Sequence, residues 1–232
     1  MMFPLLRRAA DGDLWIGTKM GCVHLLDRPD EVLDIGRSMP IVFLLLLGDD
    51  CLLVGQHGRL SIVRDMKVVA FAKITGDPAT GCLLDDGSCW IGLAQGDILH
   101  VRWLEDVMGV SILVPTRGRV TNLIKVGTNK VWCIVGDSVE IYDAFTGQAV
   151  HQISFRDGES PTCLRVVPCR SMSHRRPVWV GQSGGWCSVW DPERFVRLWL
   201  GVQDATIVNI SCISTERVWL FAHCGSVAEW IS

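Results

Sequence analysis

An all-β fold assembled from about six small repeated sheets is what this sequence predicts, and three observations carry the prediction. First, a bulky apolar residue is followed ten or eleven residues later by another, six times over: Trp15 with Leu26, Leu53 with Val63, Trp90 with Val101, Trp132 with Tyr142, Trp179 with Trp190, and Trp219 with Trp230. Successive first members lie 38, 37, 42, 47 and 40 residues apart, the spacing of four-stranded blades and not of leucine-rich, ankyrin or helical-hairpin repeats. Second, Asp-Gly turns and short glycine links separate β-rich runs, which is hairpin chemistry because positive φ is cheap there. Third, no window carries an apolar stripe at helical spacing; the apolar residues come in short blocks broken by Gly, Asp and Asn. The expected architecture is a β-propeller of about six blades, one domain over residues 1–232.

The elements follow in order. Blade 1 takes Met1–Arg8 as its innermost strand, a turn at Asp11-Gly12-Asp13, then Leu14–Gly17, a link containing Gly21, Val23–Leu26, and an outer strand at Val32–Ile35. Blade 2 opens on the apolar run Ile41–Leu47, a buried strand, and closes on Val68–Ile74. Blade 3 reads Cys82–Leu84, the turn Asp85–Ser88, Cys89–Gly92, the link Leu93–Gly96, Ile98–Val101 and an outer strand at Val110–Val114. Blade 4 is marked by Trp132 and by Val139–Asp143 with the turn that follows, and its outer strand is Ala149–Phe155. Blade 5 has Val178–Gly181, Gly185, Cys187–Trp190, a helical turn at Asp191–Arg194 and an outer strand at Phe195–Leu200. Trp and Leu at the second-strand register are expected to fill the wedge between neighbouring sheets. Blade 6 runs only to the end of its third strand at Trp230-Ile231. Two expectations stand side by side: an open ring, the chain being a fragment whose unpaired edge invites self-association, or a six-bladed ring closed with a three-stranded last blade.

Composition narrows the function classes. Lys and Arg total 22 against 25 Asp and Glu, and the net charge of -3 offers no electrostatic footprint for nucleic acid. The longest apolar run has seven residues, Ile41–Leu47, where a membrane-spanning helix needs about 20, so no membrane insertion is expected. Met1–Leu6 runs into Arg7 and Arg8 and is too short for a signal peptide. None of the ten cysteines forms a Cys-x-x-Cys pair, and Cys22, Cys133, Cys187 and Cys212 sit in apolar runs, as reduced core thiols of a cytoplasmic protein do.

Motifs for chemistry are missing: the sequence has no Gly-x-Ser-x-Gly, no His-Glu-x-x-His and no phosphate-cradling Gly-x-x-x-x-Gly-Lys. No catalytic residue and no cofactor site is expected. His24 and His100 are read as equivalent third-strand positions with structural or solvent-facing roles. His57 and His223 fall in turns that offer too few ligands for a metal. The candidate partner site is the insertion Pro168–Pro177, which lengthens blade 5 and carries Arg170, Ser171, Ser173, His174, Arg175 and Arg176. These residues suit docking to an acidic protein, tuned by phosphorylation of Ser171 or Ser173.

The residues resemble the WD40 family over the whole chain. Trp190-Asp191 is the eponymous dipeptide, Tyr142-Asp143 and Leu26-Asp27 are variants of it, and Val139–Gly147 is similar to the family's third strand and following turn. The Gly-His dipeptide usual before the innermost strand is missing, and Gly184, Gly136 and Cys224 replace the Asp expected before the closing aromatic. The family's buried polar tetrad is therefore not expected here. The Trp-x-Gly form of the second strand, as in Trp15-Ile16-Gly17, is similar to the C-terminal propellers of Roco-class leucine-rich-repeat kinases, Rho guanine-nucleotide exchange factors and kinase-binding scaffolds, and to sensor propellers of bacterial two-component regulators. The resemblance implies a noncatalytic protein–protein interaction scaffold, a propeller module of a signalling protein. The alternative is a propeller enzyme or small-ligand sensor with its site at the central channel.

Overall fold

The computed structural model describes residues 5–8, 14–26, 28–36, 39–47, 51–104, 107–156, 159–167, 176–202, 205–214 and 217–231. They form 23 strands in six antiparallel sheets, each a meander in which chain neighbours pair, with no helix among the described residues. The chain divides into two compact units, Met1–Thr116 and Arg117–Ser232.

The first unit holds three four-stranded sheets. They are β1 (Leu5–Arg8), β2 (Leu14–Gly17), β3 (Cys22–Leu25) and β4 (Arg28–Asp34); β5 (Ile41–Leu46), β6 (Cys51–Gln56), β7 (Arg59–Arg64) and β8 (Lys67–Lys73); and β9 (Pro78–Leu83), β10 (Cys89–Leu93), β11 (Ile98–Leu104) and β12 (Val107–Val114). The second unit holds β13 (Val120–Val126), β14 (Lys130–Val135), β15 (Ser138–Asp143) and β16 (Ala149–Ser154), then β17 (Pro161–Val166), β18 (Val178–Gln182), β19 (Trp186–Asp191) and β20 (Val196–Val202). Its last sheet has three strands, β21 (Ile207–Cys212), β22 (Arg217–Ala222) and β23 (Val227–Ile231).

The second strands explain the sequence period. Successive side chains on a strand point to opposite faces, so each second strand serves two sheets. Within the first unit Trp15 of β2 packs with Leu52 and Val54 of β6, while Leu53 of β6, on the other face, packs with Cys89 and Ile91 of β10. Within the second unit Trp132 of β14 packs with Val178 and Val180 of β18, and Trp179 of β18 packs with Val218 and Leu220 of β22. Within each unit Trp15, Leu53, Trp132 and Trp179 thus face the following sheet, and the two neighbours of Leu53 and of Trp179 face the preceding one. Trp15, Leu53, Trp90, Trp132 and Trp179 are all buried.

The same alternation accounts for the glycine of Trp-x-Gly. A Cβ on Gly17 would sit 2.8 Å from Ile41 Cγ2, one on Gly55 2.6 Å from Pro78 Cγ, and one on Gly181 2.7 Å from Ile207 Cγ2. Ile41, Pro78 and Ile207 open β5, β9 and β21, so in each case the first strand of the next sheet crosses where the side chain is absent. Blade 4 carries Ile134 at that register instead. The tightest link is at Gly21, with φ of 81°, where a Cβ would lie 2.2 Å from the Gly36 carbonyl oxygen.

Two members of the repeat are exposed, Leu26 among the closing positions and Trp219 at the second-strand register, where filling of the wedge was expected. Leu26 lies in the turn after β3 and is exposed. Trp219 is 37% exposed: it faces away from the fifth sheet, and no further sheet of its unit follows. The position after it that is Gly181 in β18 is Phe221 in β22, and the two rings meet at 6.2 Å.

Candidate functional site

The insertion expected to dock a partner interrupts the β17–β18 hairpin. Val166 pairs with Val178, and the Val167 amide donates to the Pro177 carbonyl at 3.1 Å, closing its base. It therefore leaves the fifth sheet at the strand ends opposite the β18–β19 turn. Arg170, Ser171, Ser173, His174 and Arg175 lie outside the described residues; Arg176 is described and exposed.

A polar cluster that sequence reasoning did not assemble lies on the third sheet, in the β9–β10 turn and on β11. The Ser88 amide donates to Asp86 Oδ1 at 3.0 Å, the Ser88 hydroxyl donates to the same oxygen at 2.5 Å, and His100 Nε2 lies 2.9 Å from Ser88 Oγ. Arg102 reaches Asp86 Oδ2 at 3.5 Å. A cavity of about 440 Å³ lies over the cluster, lined by Asp86, Gly87, Ser88, Arg102 and Trp103. The signal in the sequence was the Asp-x-Ser turn with His and Arg two apart on the facing strand, which sets both on one face.

The order of these groups decides their chemistry. In a hydrolase triad the imidazole stands between hydroxyl and carboxylate; here the hydroxyl stands in the middle and donates its hydrogen bond to the carboxylate. The Ser88 hydroxyl first, then its amide and the charges of Arg102 and His100, hold the Asp86 carboxyl below its ordinary range, which makes it a weak base. Burial, with Arg102 second, pushes the His100 imidazole below its usual value. The arrangement caps a hairpin turn and leaves the hydroxyl unactivated.

His24 and His100 are not equivalent. His100 pairs with Trp90, whereas His24 pairs with Ile16, the neighbour of Trp15, so the two imidazoles sit one residue apart in register and on opposite faces. His57, in the β6–β7 turn, contacts Asp77 Oδ1, and Gln95 from the β10–β11 turn donates to Asp77 Oδ2 at 2.8 Å. The Gln95 bond first, then His57, lowers the Asp77 pKa. These bonds tie the second sheet to the third. Among the described residues no group of three His, Cys, Asp or Glu is placed to hold a metal ion.

The fifth sheet contains a buried polar chain of its own. Gln182 Nε2 and Trp190 Nε1 both donate to Ser188 Oγ, at 2.9 and 2.8 Å. Asp191 follows Trp190 and accepts the Glu193 and Arg194 amides at 2.8 and 3.1 Å, and Asp143 accepts those of Phe145 and Thr146 at 3.0 and 2.8 Å. The aspartate of the repeated dipeptide therefore shapes the turn into the outer strand. That turn in blade 5 ends on Phe195 at φ 55°, rare for a bulky residue. The His151 ring stacks on Phe195 at 4.8 Å, and Lys130 Nζ lies 5.4 Å from its centroid.

A second cavity, of about 360 Å³, opens between β8 and β12, lined by the aliphatic Ile74, Leu93, Leu99 and Val110 and by the charged Lys73 and Asp97. On its outer side both strands expose apolar side chains, Phe71 and Ile112.

The chain matches no protein-family profile and no curated protein sequence. Solved structures do resemble it. The WD40 β-propeller domain of Doa1 superposes with a TM-score of 0.75 at 12% identity, covering 97% of this chain and 77% of that one. BBS1N, in its complex with ARL6DN, gives 0.77 at 13% identity, over 97% and 76% of the two chains. A chain of the mitotic checkpoint complex gives 0.75 at 12%, over 98% and 73%. At such identities the shared property is the fold: a WD40-like β-propeller of six sheets, the last with three strands.

Proposed function

We propose that residues 1–232 act as one propeller domain, a noncatalytic scaffold that binds other proteins in the cytoplasm as a module of a signalling protein. The observation that carries this reading is the commitment of the ionisable groups to the frame: Asp86, Asp143 and Asp191 shape turns, and Asp77 is held by His57 and Gln95. Loops on such stable sheets are where binding specificity usually resides. Two of the similar propellers come from structures of assemblies, BBS1N with ARL6DN and the mitotic checkpoint complex. A reducing compartment suits the buried thiols, since burial pushes Cys89 up to about 12 and Cys163 up to about 11.

The insertion in blade 5 is the site assigned to an acidic partner, with Arg170, Arg175 and Arg176 supplying charge, His174 beside them, and Ser171 and Ser173 as modification points. Affinity capture with the intact chain, compared against Arg170→Ala/Arg175→Ala/Arg176→Ala, tests it. Loss of a specific, salt-sensitive partner is expected; an unchanged set of captured proteins returns the segment to a solvated loop.

A further inference from the structure

Asp97 differs from the aspartates that shape turns or tie sheets together. It stands between β10 and β11 and holds a φ of 66° directly after Gly96 at 110°. In the corresponding turns of other sheets Cys22, Arg59, Trp186 and Ser226 each follow a glycine of positive φ, and none of them shares that conformation. The left-handed region is uncommon outside glycine, and strain of this kind is retained where a site needs it. Two bonds pin the backbone: the Leu93 amide donates to the Asp97 carbonyl at 3.0 Å, and the Asp97 amide donates to Thr116 Oγ1 at 3.2 Å. The Asp97 carboxylate has no hydrogen-bond or ion-pair partner among the described residues, and it lines the cavity between β8 and β12.

Lys73, at the end of β8, lines the same cavity and is likewise without a charged partner among the described residues. The two opposite charges thus share one opening without pairing, together with aliphatic walls and the Thr75 and Ser111 hydroxyls. The β11–β12 register shifts between Ile98 and Leu99, which sets an irregularity at the cavity, a device that re-aims side chains beside sites. The volume of about 360 Å³ lies at the small end of ligand pockets, about 300–1,000 Å³. We propose that this cavity binds a small zwitterion with an aliphatic arm, a free α-amino acid of the leucine type, with its ammonium on Asp97, its carboxylate on Lys73 and its side chain against the aliphatic walls. Charge complementarity argues this occupant. A carboxylate alone would pair with Lys73 and be repelled by Asp97, and an ammonium alone would meet the reverse conflict. An uncharged hydrocarbon would strip water from both charges and replace it for neither. Asp97 is half-buried and Lys73 exposed, so salt screens the contact to the carboxylate less and that contact is the stronger. The site goes beyond the scaffold reading and does not depend on it.

Isothermal titration of L-leucine into the full chain tests the assignment. Saturable binding of one leucine per chain is expected, with a rise in melting temperature. N-acetyl-leucine, which lacks the ammonium, leucinamide, which lacks the carboxylate, and glycine, which lacks the arm, each bind at least tenfold more weakly. Asp97→Asn keeps a residue type that tolerates the left-handed backbone and weakens leucine binding at least tenfold. Lys73→Gln weakens it at least threefold, while Lys67→Gln at the other end of β8 leaves it unchanged. The analogue series needs no substitution, so it decides even where a variant disturbs the turn. Absence of saturable heat at millimolar leucine, equal binding of the blocked analogues, or binding indifferent to both Asp97→Asn and Lys73→Gln overturns the assignment. Partner capture through Arg170, Arg175 and Arg176 is read separately, and failure of the cavity leaves the scaffold reading where it stands.

Discussion

Trp132 and Trp179 occupy the same register and face the sheet that follows, whereas Trp219 occupies it with no following sheet in its unit. Truncation of a buried indole costs about 3–5 kcal/mol, a large share of a typical total of about 5–15 kcal/mol. Trp179→Ala and Trp132→Ala should therefore unfold the chain at a much lower denaturant midpoint, while Trp219→Ala costs under about 1.5 kcal/mol, closer to a surface substitution. Among the described residues no acceptor pairs with the buried Trp132 Nε1. Trp132→Phe sheds that unpaired donor and should cost less than Trp132→Ala, as urea titrations will show. His100 predicts a pH dependence. Its imidazole is held below the ordinary value of 6.5, so the unfolded chain binds a proton that the folded one refuses. Stability present above that pH then declines as pH falls towards the folded value. His100→Gln should flatten the fall of the melting temperature as pH drops below the ordinary imidazole value; an unchanged slope would remove His100 from the account.

At the scale of the element, the meander was legible because strand, turn and glycine link each carry a local chemical signature. The outer strands expected at 32–35, 68–74, 110–114, 149–155 and 195–200 all formed, as β4, β8, β12, β16 and β20. Trp-x-Gly was legible as a pattern, but its cause was not, since the atom that excludes a side chain belongs to a strand about 25 residues away, as Ile207 does for Gly181. Gly181→Val forces a branched side chain into Ile207 and Cys163, and overpacking of this kind costs about 1–3 kcal/mol. Thermal melts should show that loss, and a neutral result would mean that β21 can move aside. The polar clusters were legible only in part. Ser88, Asp86 and His100 were each visible in the sequence, yet their order was set by which side chains the β10–β11 register brings face to face.

For the whole molecule, docking at the blade 5 insertion would carry the signature of its charges, and salt dependence tests it. Docking through Arg170, Arg175 and Arg176 is electrostatic and weakens as ionic strength rises, because screening shortens to about 8 Å at 0.15 M and about 3 Å at 1 M. Phosphate-mimicking Ser171→Glu/Ser173→Glu sets negative charge among the arginines and should reduce capture of an acidic partner; unchanged capture would remove both serines from the account.

The repeat length, the all-β class, the six units and most strand positions were written in the sequence alone, because period, turn chemistry and alternation act between residues close along the chain. Tertiary structure decided which aromatic rings are covered, why a glycine stands two residues after Trp15, Leu53 and Trp179, and which hydroxyl lies between which charges. Those outcomes depend on contacts between sheets, where the partners of a residue lie dozens of positions away and no local pattern names them.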